Sequence, residues 1–173
     1  HNDNSMVNRS KVISIAEGPS SGLIAQVAPF SLEIVARAGV GTEARLNREV
    51  QLALIPVFQF GAFSESDLSF FAGPDFGFGG RVHSNGNLFL AEGGGTLTLS
   101  QKVTTAAEVI RAVLANGVST SIAHSSTVRA VTTPGNYRNL GLTEGSVTGG
   151  PGSSANSAWP GLSLTSYNGN IIS

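Results

Sequence analysis

The chain of 173 residues contains no cysteine, and charged residues make up only 12% of it. The absence of cysteine excludes disulfides, thiolate metal sites and cysteine nucleophiles. The ten basic residues are scattered and the net charge is −1, so the basic stripe that nucleic-acid binding requires is missing. No apolar run reaches the about 18 residues of a transmembrane helix. We therefore expect no nucleic-acid partner, no membrane contact and no cofactor.

Glycine is abundant, with 22 residues, and Ser, Thr and Asn are frequent. This composition is associated with bacterial surface proteins more than with cytosolic enzymes, which predicts an extracellular or cell-surface location. The length fits one domain. We expect a polar arm or edge strand over residues 1–28 and a single β-rich domain over 29–173. Because the sequence opens at His1 without a leader, we interpret it as an interior part of a longer, processed protein.

Strict alternation of apolar and polar residues marks the segment 29–56. Gly39 and Gly41 lie where the chain would turn between two extended arms. The pattern predicts a long antiparallel hairpin of half-buried strands. A helix over 43–54 is the alternative, and Pro56 together with the period of two favours the strand. The alternating apolar residues are Phe30, Leu32, Ile34, Ala36, Ala38, Ala44, Leu46, Val50, Leu52 and Leu54.

Seven of the nine Phe residues lie between positions 58 and 78. A buried aromatic side chain removes about 150 to 250 Å² from water. We therefore expect the segment 57–78 to form an aromatic plug in the core. Interleaved glycines predict an irregular connection in place of a long helix. The seven residues are Phe58, Phe60, Phe63, Phe70, Phe71, Phe76 and Phe78.

A corner at Asn85, Gly86 and Asn87 separates two short alternating segments within residues 79–90. Asn and Gly tolerate positive φ, so this pair is expected to turn the backbone without strain. The pattern suits a hairpin or one coil of a β-solenoid. We predict an all-β fold, with solenoid-like or sandwich-like strands over 80–173 and glycine-rich loops near the C-terminus.

Residues 103–114 fit two kinds of secondary structure. Thr105, followed three positions later by Glu108, matches a capping box and favours a helix. The alternation of Val103, Thr105, Val109, Arg111 and Val113 fits a strand. From local signals alone the helix is preferred.

Four motifs between residues 29 and 117 carry a resemblance to a known family. They are Asn47-Arg48-Glu49-Val50, Ile55-Pro56-Val57-Phe58-Gln59-Phe60, Asp67-Leu68-Ser69-Phe70 and Gly80-Arg81-Val82-His83-Ser84-Asn85-Gly86-Asn87-Leu88. The chain resembles the large PilX-like proteins of bacterial type IV pilus systems. The resemblance implies a secreted protein with a β-rich extracellular region, although the family's N-terminal apolar helix and processing site are missing here. It also implies strands at 103–114, as further turns of a solenoid.

The sequence predicts no reactive centre and no metal site. His83 and Ser84 are adjacent, so in a strand they point to opposite faces and cannot act as a base and nucleophile pair. The His residues lack the spacing of metal ligands. Glu65 and Asp67 could form paired carboxylates of a glycan-cleaving site, but capping and turn roles are favoured.

Three aromatic residues, Tyr137, Trp159 and Tyr167, are candidates for stacking on sugars, and a core position is the alternative for Trp159. The predicted function is a non-catalytic extracellular structural or adhesive module that is pilus-associated or forms filaments. Its expected partners are copies of itself or other surface and pilus subunits, because open strand edges can receive another chain. Residues 1–22 are a candidate strand donor. The alternatives are a glycan-binding module and a polysaccharide-cleaving β-helix enzyme.

Overall fold

The computed structural model describes residues 10–39 and 41–173. The chain divides into two compact units, with the boundary after Gln59. Strands dominate both units, so the all-β prediction is confirmed. The division lies after the predicted hairpin and not at residue 28, because the N-terminal edge strand and the hairpin share one sheet. No helix in the described part of the chain is long and apolar enough to cross a membrane.

The first unit is a three-stranded antiparallel sheet in the order β1-β2-β3. Its strands are β1 Lys11–Ser14, β2 Ile24–Arg37 and β3 Glu43–Leu54. The β2–β3 pair runs without a register shift from Gln26 opposite Leu54 to Arg37 opposite Glu43. This confirms the predicted hairpin. Strand β1 pairs with β2 of its own chain, and residues 1–9 of the predicted arm lie outside the described residues.

Burial in the first unit is confined to its base. Leu23, Ala25 and Val27 are buried, whereas every described residue of 29–54 is exposed. The Gln59 side chain closes the base, since it accepts from the Ile24 amide and donates to the Ile24 carbonyl, each at 2.7 Å. The alternation therefore identified the strands, but the expectation that they are half-buried is wrong for this segment.

The second unit contains ten short or medium strands and a few helical turns. α1 spans Thr120–Ala123, and α2 Trp159–Gly161 runs into a π turn over Leu162–Ser166. The strands are β4 Ala62–Ser64, β5 Leu68–Ala72, β6 Phe76–Phe78, β7 Val82–Ser84, β8 Leu88–Leu99, β9 Val103–Thr105, β10 Val109–Ile110, β11 Ser125–Thr133, β12 Asn136–Asn139 and β13 Ile171–Ile172.

Parallel pairing organises the second unit into rows. The offset is 20 or 21 positions for the pairs among β4 to β10, whereas β11 pairs with β8 at 31 to 33 positions and β13 with β9 at 68 positions. Ala62 pairs with Val82 and Val82 with Val103, which are offsets of 20 and 21 positions. Strand β13 continues this row on β9. A second row consists of β5, the first part of β8 and β10. A third row consists of β6, the last part of β8 and β11. Successive turns of chain thus stack in register.

Aliphatic side chains form the core of this stack. β8 supplies four fully buried leucines, at positions 88, 90, 97 and 99, and neighbouring strands add Val82, Val103, Val109 and Val128. Inward positions recur at the same place in each turn, so their side chains pack against one another along the stacking direction.

The Phe cluster lies at the margin of the core and not in its centre. None of the seven residues between 58 and 78 is buried, and Phe58 is 84% exposed. Phe70 and Phe78 pack against the aliphatic core from a partly buried position. The segment forms strands β4 to β6 where an irregular connection was expected. The buried core of the second unit is therefore mainly aliphatic, and Phe70 and Phe78 flank it.

Residues 103–114 form strands β9 and β10 and not a helix. The Thr105 hydroxyl donates to the Gly86 carbonyl of the preceding turn and accepts from the Ala107 amide at 3.3 Å. The residues that mimic a capping box therefore serve a corner of the stack. The strand expectation drawn from the family resemblance is confirmed, and the local preference for a helix is wrong.

Candidate functional site

The predicted corner at residues 85–87 joins β7 to β8, and hydroxyl side chains hold it to its neighbours. Ser64, Ser84 and Thr105 lie in register on successive turns. The Ser84 hydroxyl donates to the Ser66 carbonyl at 2.7 Å, and Thr105 repeats this bond to Gly86. The Ser84 and Thr105 hydroxyls thus satisfy main-chain carbonyls of the preceding segment, at a point where the strand ladder is interrupted.

Side-chain oxygens form a second row along the same corner. The Asn87 amide donates to Asp67 Oδ1 at 2.7 Å, and the Glu108 amide donates to Asn87 Oδ1 at 3.3 Å. Gly152 continues the row by donating its amide to Glu108 Oε2 at 3.0 Å. The corner is therefore a ladder of structural bonds, and the predicted structural role of Asn87 has this physical basis.

Gly86 occupies the corner because the backbones approach closely there. None of residues 85–87 has a positive φ, so the expected reliance on positive φ is wrong. A Cβ atom on Gly86 would lie 2.5 Å from the Asp67 amide nitrogen and 2.6 Å from the Ser66 carbonyl carbon. Only glycine leaves room for the preceding turn at this position.

The sequence contains a repeated pattern at this corner, which short windows of the sequence do not reveal. One seven-residue pattern recurs three times. It begins with an apolar residue, has a hydroxyl side chain at its third position and a side chain with an acceptor oxygen at its sixth, and ends with another apolar residue. A period of 20 to 21 residues is short enough for a stacked repeat protein. The three copies are Ala62-Phe63-Ser64-Glu65-Ser66-Asp67-Leu68, Val82-His83-Ser84-Asn85-Gly86-Asn87-Leu88 and Val103-Thr104-Thr105-Ala106-Ala107-Glu108-Val109.

Two buried ionisable residues of the second unit were also missed. Glu92 is fully buried, and its Oε1 accepts the amides of the three glycines that follow it, at 2.8, 3.2 and 3.2 Å. Glu92 Oε2 has no partner among the described residues. Three glycines directly after an acidic residue are the sequence signal for such a nest of backbone amides.

Arg111 is the buried cation of the stack. Its guanidinium donates to the carbonyls of Leu90 at 2.7 Å, Leu140 at 3.1 Å and Ser126 at 3.4 Å. Burial lowers the pKa of Arg111 to about 10. The side chain thus ties three separate chain segments together through main-chain acceptors, and its role is structural.

The C-terminal segment is fastened by a cluster around Arg138. The guanidinium binds both carboxylate oxygens of Glu144, at 2.6 and 3.0 Å, and donates to the Tyr167 hydroxyl at 2.6 Å. The hydrogen bond from Arg138 lowers the pKa of Glu144. Burial raises the pKa of Tyr167 to about 12, and its hydroxyl donates to the Asn139 carbonyl at 2.7 Å.

Two of the three predicted sugar-stacking rings lie in the core. Tyr167 and Trp159 are buried in the aliphatic cluster, and Trp159 Nε1 donates to the Ser173 hydroxyl at 2.8 Å. Tyr137 alone of the three has an exposed ring, at 38%. The Arg129 guanidinium lies 5.1 Å from its centroid. The structure therefore does not bring the three rings together on one surface.

A shallow pocket of about 190 Å³ lies beside Arg129. The Arg129 Nε donates to Thr98 Oγ1 at 2.8 Å, and Asp75 Oδ1 accepts the Thr96 amide at 2.7 Å. Both charged groups are therefore held by the strands that frame the pocket. Its lining residues are Asp75, Phe76, Gly77, Thr96, Thr98 and Arg129.

The remaining candidate residues take part in local contacts. Asp67 caps the corner described above, and Glu65 is exposed beside it. His83 bonds Thr104 Oγ1 at 2.7 Å and Asn85 Oδ1 at 3.0 Å, which leaves it no free ring nitrogen. Among the described residues, no three His, Cys, Asp or Glu side chains are grouped to hold a metal.

Both strands of the hairpin expose large apolar side chains. Paired residues of an antiparallel ribbon point to the same side, so the register places one set of alternating residues together. We call this side the apolar face, and Arg48 is its one charged residue. Its residues are Ala28, Phe30, Leu32, Ile34, Ala36, Ala44, Leu46, Arg48, Val50 and Leu52.

The opposite side, the polar face, carries a ladder of ion pairs. Arg37 Nε lies 2.8 Å from Glu43 Oε2. Arg45 also pairs with Glu43 through its Nε, and its Nη1 lies 3.6 Å from Glu33 Oε1. Each of these exposed ion pairs contributes at most about 1 kcal/mol. The charged side chains make the polar face hydrophilic, whereas the apolar face has no comparable set of charges.

No family model matches this chain, and neither a curated protein nor a solved structure is detectably similar to it.

Proposed function

We propose that this chain is a non-catalytic assembly module of the bacterial cell surface, which joins to other subunits through its hairpin. The observation that carries the proposal is the apolar face, whose large side chains are all exposed along a ribbon about ten residues long. Phe30, Leu32, Ile34, Leu46 and Val50 are all among the exposed large hydrophobic residues.

An isolated two-stranded ribbon is at best marginally stable in water, and it becomes stable when a third strand or another surface covers its apolar side. Contiguous exposed apolar area on a protein generally marks a site of interaction. Covering such a face stabilises the associated state by about 25 cal/mol for each Å² of apolar surface removed from water. Association with another subunit would remove the apolar face from water and stabilise the hairpin.

The second unit fits the same proposal as a short β-solenoid. Parallel pairing at offsets of 20 and 21 positions and the two rows of corner side chains support this assignment. Stacked units of this kind serve as rigid scaffolds because each turn contacts only its neighbours. The extracellular location and the relationship to PilX-like pilus proteins are part of the proposal and rest on composition and on the motifs quoted above.

Sedimentation velocity over a concentration series tests the assembly role. We expect the full chain to form dimers or larger species at micromolar concentrations. Replacing the facing residues Ile34 and Leu46 with serine should weaken association at least tenfold, because the apolar area at the centre of the face is lost. Val35→Ser changes an exposed residue on the polar face and is the matched control.

A monomeric wild-type chain at several hundred micromolar would overturn the assembly role. Equal weakening by the control Val35→Ser and by the double variant would show that the apolar face is not the surface used.

Glycan binding is the second candidate, and the pocket beside Arg129 favours it over other functions. The ring of the exposed Tyr137 lies 5.1 Å from the guanidinium of Arg129, which lines the pocket together with Asp75. An aromatic ring beside a polar pocket suits a sugar, whose faces are apolar and whose hydroxyls need polar partners. Tyr137→Ala should then abolish any signal on a glycan array while leaving Trp159 fluorescence unchanged. No signal for the wild-type chain would remove this candidate.

A further inference from the structure

We infer that β3 is the edge at which a second copy of this chain adds its own β3, antiparallel, in a register centred on Asn47. This inference rests on the proposed assembly function and names the partner and the geometry. It uses only the described residues of the first unit.

The outer edge of strand β3 is open. The strand pairs with β2 along all twelve of its residues, and its other side has no partner in the described ranges 10–39 and 41–173. Proteins usually protect such edges with charged side chains, lysine above all, with proline or with a bulge. β3 carries four charged residues, Glu43, Arg45, Arg48 and Glu49, so the pairing of these charges decides whether a second strand can be added. β3 contains neither proline nor lysine, and its ladder shows no register shift. By contrast, β1 already covers the start of β2 on its outer side.

The order of charges along β3 is self-complementary in one register. With Asn47 opposite its own copy, Arg45 of each strand lies opposite Glu49 of the other. Opposite charges directly across a strand pair stabilise it, and like charges destabilise it. The arrangement places an amide pair at the two-fold axis and an opposite-charge pair on each side of it.

Neighbouring registers lack this complementarity. Centring the pair on Arg48 or on Glu49 brings like charges directly together at the axis. Centring it on Leu46 sets Glu43 against Glu49 twice. Centring the pair on Val50 places no like charges opposite each other, but it also forms no opposite-charge pair. The charge order therefore selects Asn47 among the registers that align residues of the same face.

The same pairing keeps the two apolar faces on one side. A two-fold axis through Asn47 and perpendicular to the sheet joins β2-β3 to its copy as one four-stranded sheet, because such a rotation preserves the faces. The edge pairing leaves this joined apolar face uncovered, so covering the face, as the proposed function requires, is a separate contact made by the four-stranded sheet. Residues 43–51 of each copy then face one another, which allows about eight to ten new main-chain hydrogen bonds. Leu46 gains the aliphatic stem of Arg48 as a neighbour across the new pair.

A single-cysteine scan reads the register, because the natural chain has no cysteine. Asn47→Cys should give the highest yield of disulfide-linked dimer under mild oxidation, since directly opposed Cα atoms lie about 4.5 to 5.5 Å apart. Glu49→Cys places its two thiols about 13 Å apart along the strands. Leu46→Cys and Arg48→Cys place theirs about 8 Å apart, which exceeds the reach of a disulfide.

A charge exchange provides the second test. Arg45→Glu alone or Glu49→Arg alone should weaken dimerisation about five- to tenfold in sedimentation, because each change creates two like-charge pairs. The variant that carries both changes should recover most of the affinity that Glu49→Arg loses, although the ion pairs of Arg45 with Glu43 and Glu33 within the chain stay lost. Val35→Ser, on the polar face of β2, is the control that should leave the affinity unchanged.

The outcomes separate this inference from the proposed function. Association with the highest cross-linking at a position other than 47, or without recovery in the double charge variant, overturns the register and leaves the assembly role standing. A chain that is monomeric and cross-links at none of the four positions overturns both.

Discussion

The hairpin and the stack obey the same sequence pattern and have opposite environments. Leu46 in the hairpin and Leu97 in the stack each lie in a run of alternating residues, yet Leu46 is 52% exposed and Leu97 is fully buried. The leucines of β8 pack in a core cluster with Val82, Val103 and Ile171 of the other sheet, whereas the apolar residues of the hairpin are exposed. The strands also differ in the number of their partners. β8 has parallel partners on both sides, whereas β3 has one partner in the described part of the chain. Alternation thus identifies a strand but does not determine what covers its apolar side.

The same substitution in the two regions should separate them most strongly. Leu90→Ala should lower the free energy of unfolding of the stack by about 2 to 5 kcal/mol, because it leaves a cavity in a close-packed core. Leu46→Ala should change it by no more than about 0.5 kcal/mol in dilute solution. Denaturant titration followed by the fluorescence of Trp159, the single tryptophan and a residue of the stack core, measures both changes.

An equal shift of the Trp159 transition by the two variants would break this comparison, since it would mean that the hairpin leucine is as tightly packed as the core leucine. Measuring the stability of Leu46→Ala again, at a protein concentration where the chain associates, makes the comparison sharper. If the apolar face is covered on association, the cost of this substitution should increase with protein concentration.

The corners of the stack allow a second comparison, between glycines that are crowded and glycines that are not. Gly86→Ala should destabilise the stack by about 1 to 3 kcal/mol, because the added methyl group overlaps the backbone of the preceding turn. Gly77→Ala, in β6, is the matched control. Nothing lies within 4 Å of the position its Cβ would take, so its effect should stay below about 0.5 kcal/mol.

Thermal unfolding of both glycine variants, followed by far-UV circular dichroism, provides the measurement. A Gly86→Ala protein with wild-type stability would show that adjacent corners can separate without cost, and the ladder of Asp67, Asn87 and Glu108 would then contribute little to the stack.

Local patterns were sufficient to predict the hairpin and insufficient to predict the stack. The hairpin strands are joined by a short turn, so the alternating runs and the glycines between them define the pairing. In the stack the strands from β4 to β10 pair with strands 20 or 21 residues away, and β11 and β13 pair with β8 and β9 over 31 to 68 residues, so nothing within a short window identifies these partners. The repeated hydroxyl and acceptor positions, from Ser64 to Glu108, were the longer-range signal.

The Phe cluster shows why composition alone misplaced the core. Its residues lie in or next to β4, β5 and β6, each of which has a paired strand on one side only in the described part of the chain. Their side chains therefore lack a neighbouring turn on one side, whereas the leucines of β8 have a turn on both. Burial in a stacked fold depends on the position of the turn and not on the size of the side chain.

Within the stack, the cluster that fastens the C-terminal segment should have the smallest effect, and this effect should depend on pH. The hydrogen bond from Arg138 holds the pKa of Glu144 below its ordinary value of 4.5. A carboxyl whose pKa is lower in the folded chain than in the unfolded chain stabilises the fold above that ordinary value and loses the contribution as the pH falls. Glu144→Gln should cost about 1 kcal/mol at pH 7.

The difference between wild type and Glu144→Gln should therefore shrink as the pH falls below about 4.5, because the wild-type carboxyl becomes protonated and neutral like the amide. Urea titrations at pH 7 and pH 3, followed by Trp159 fluorescence, measure it. Glu65→Gln, at an exposed position on the first corner, controls for the loss of one negative charge. A difference that stays constant between pH 7 and pH 3 would mean that the shape of the Glu144 side chain, and not its charge, fastens the C-terminal segment.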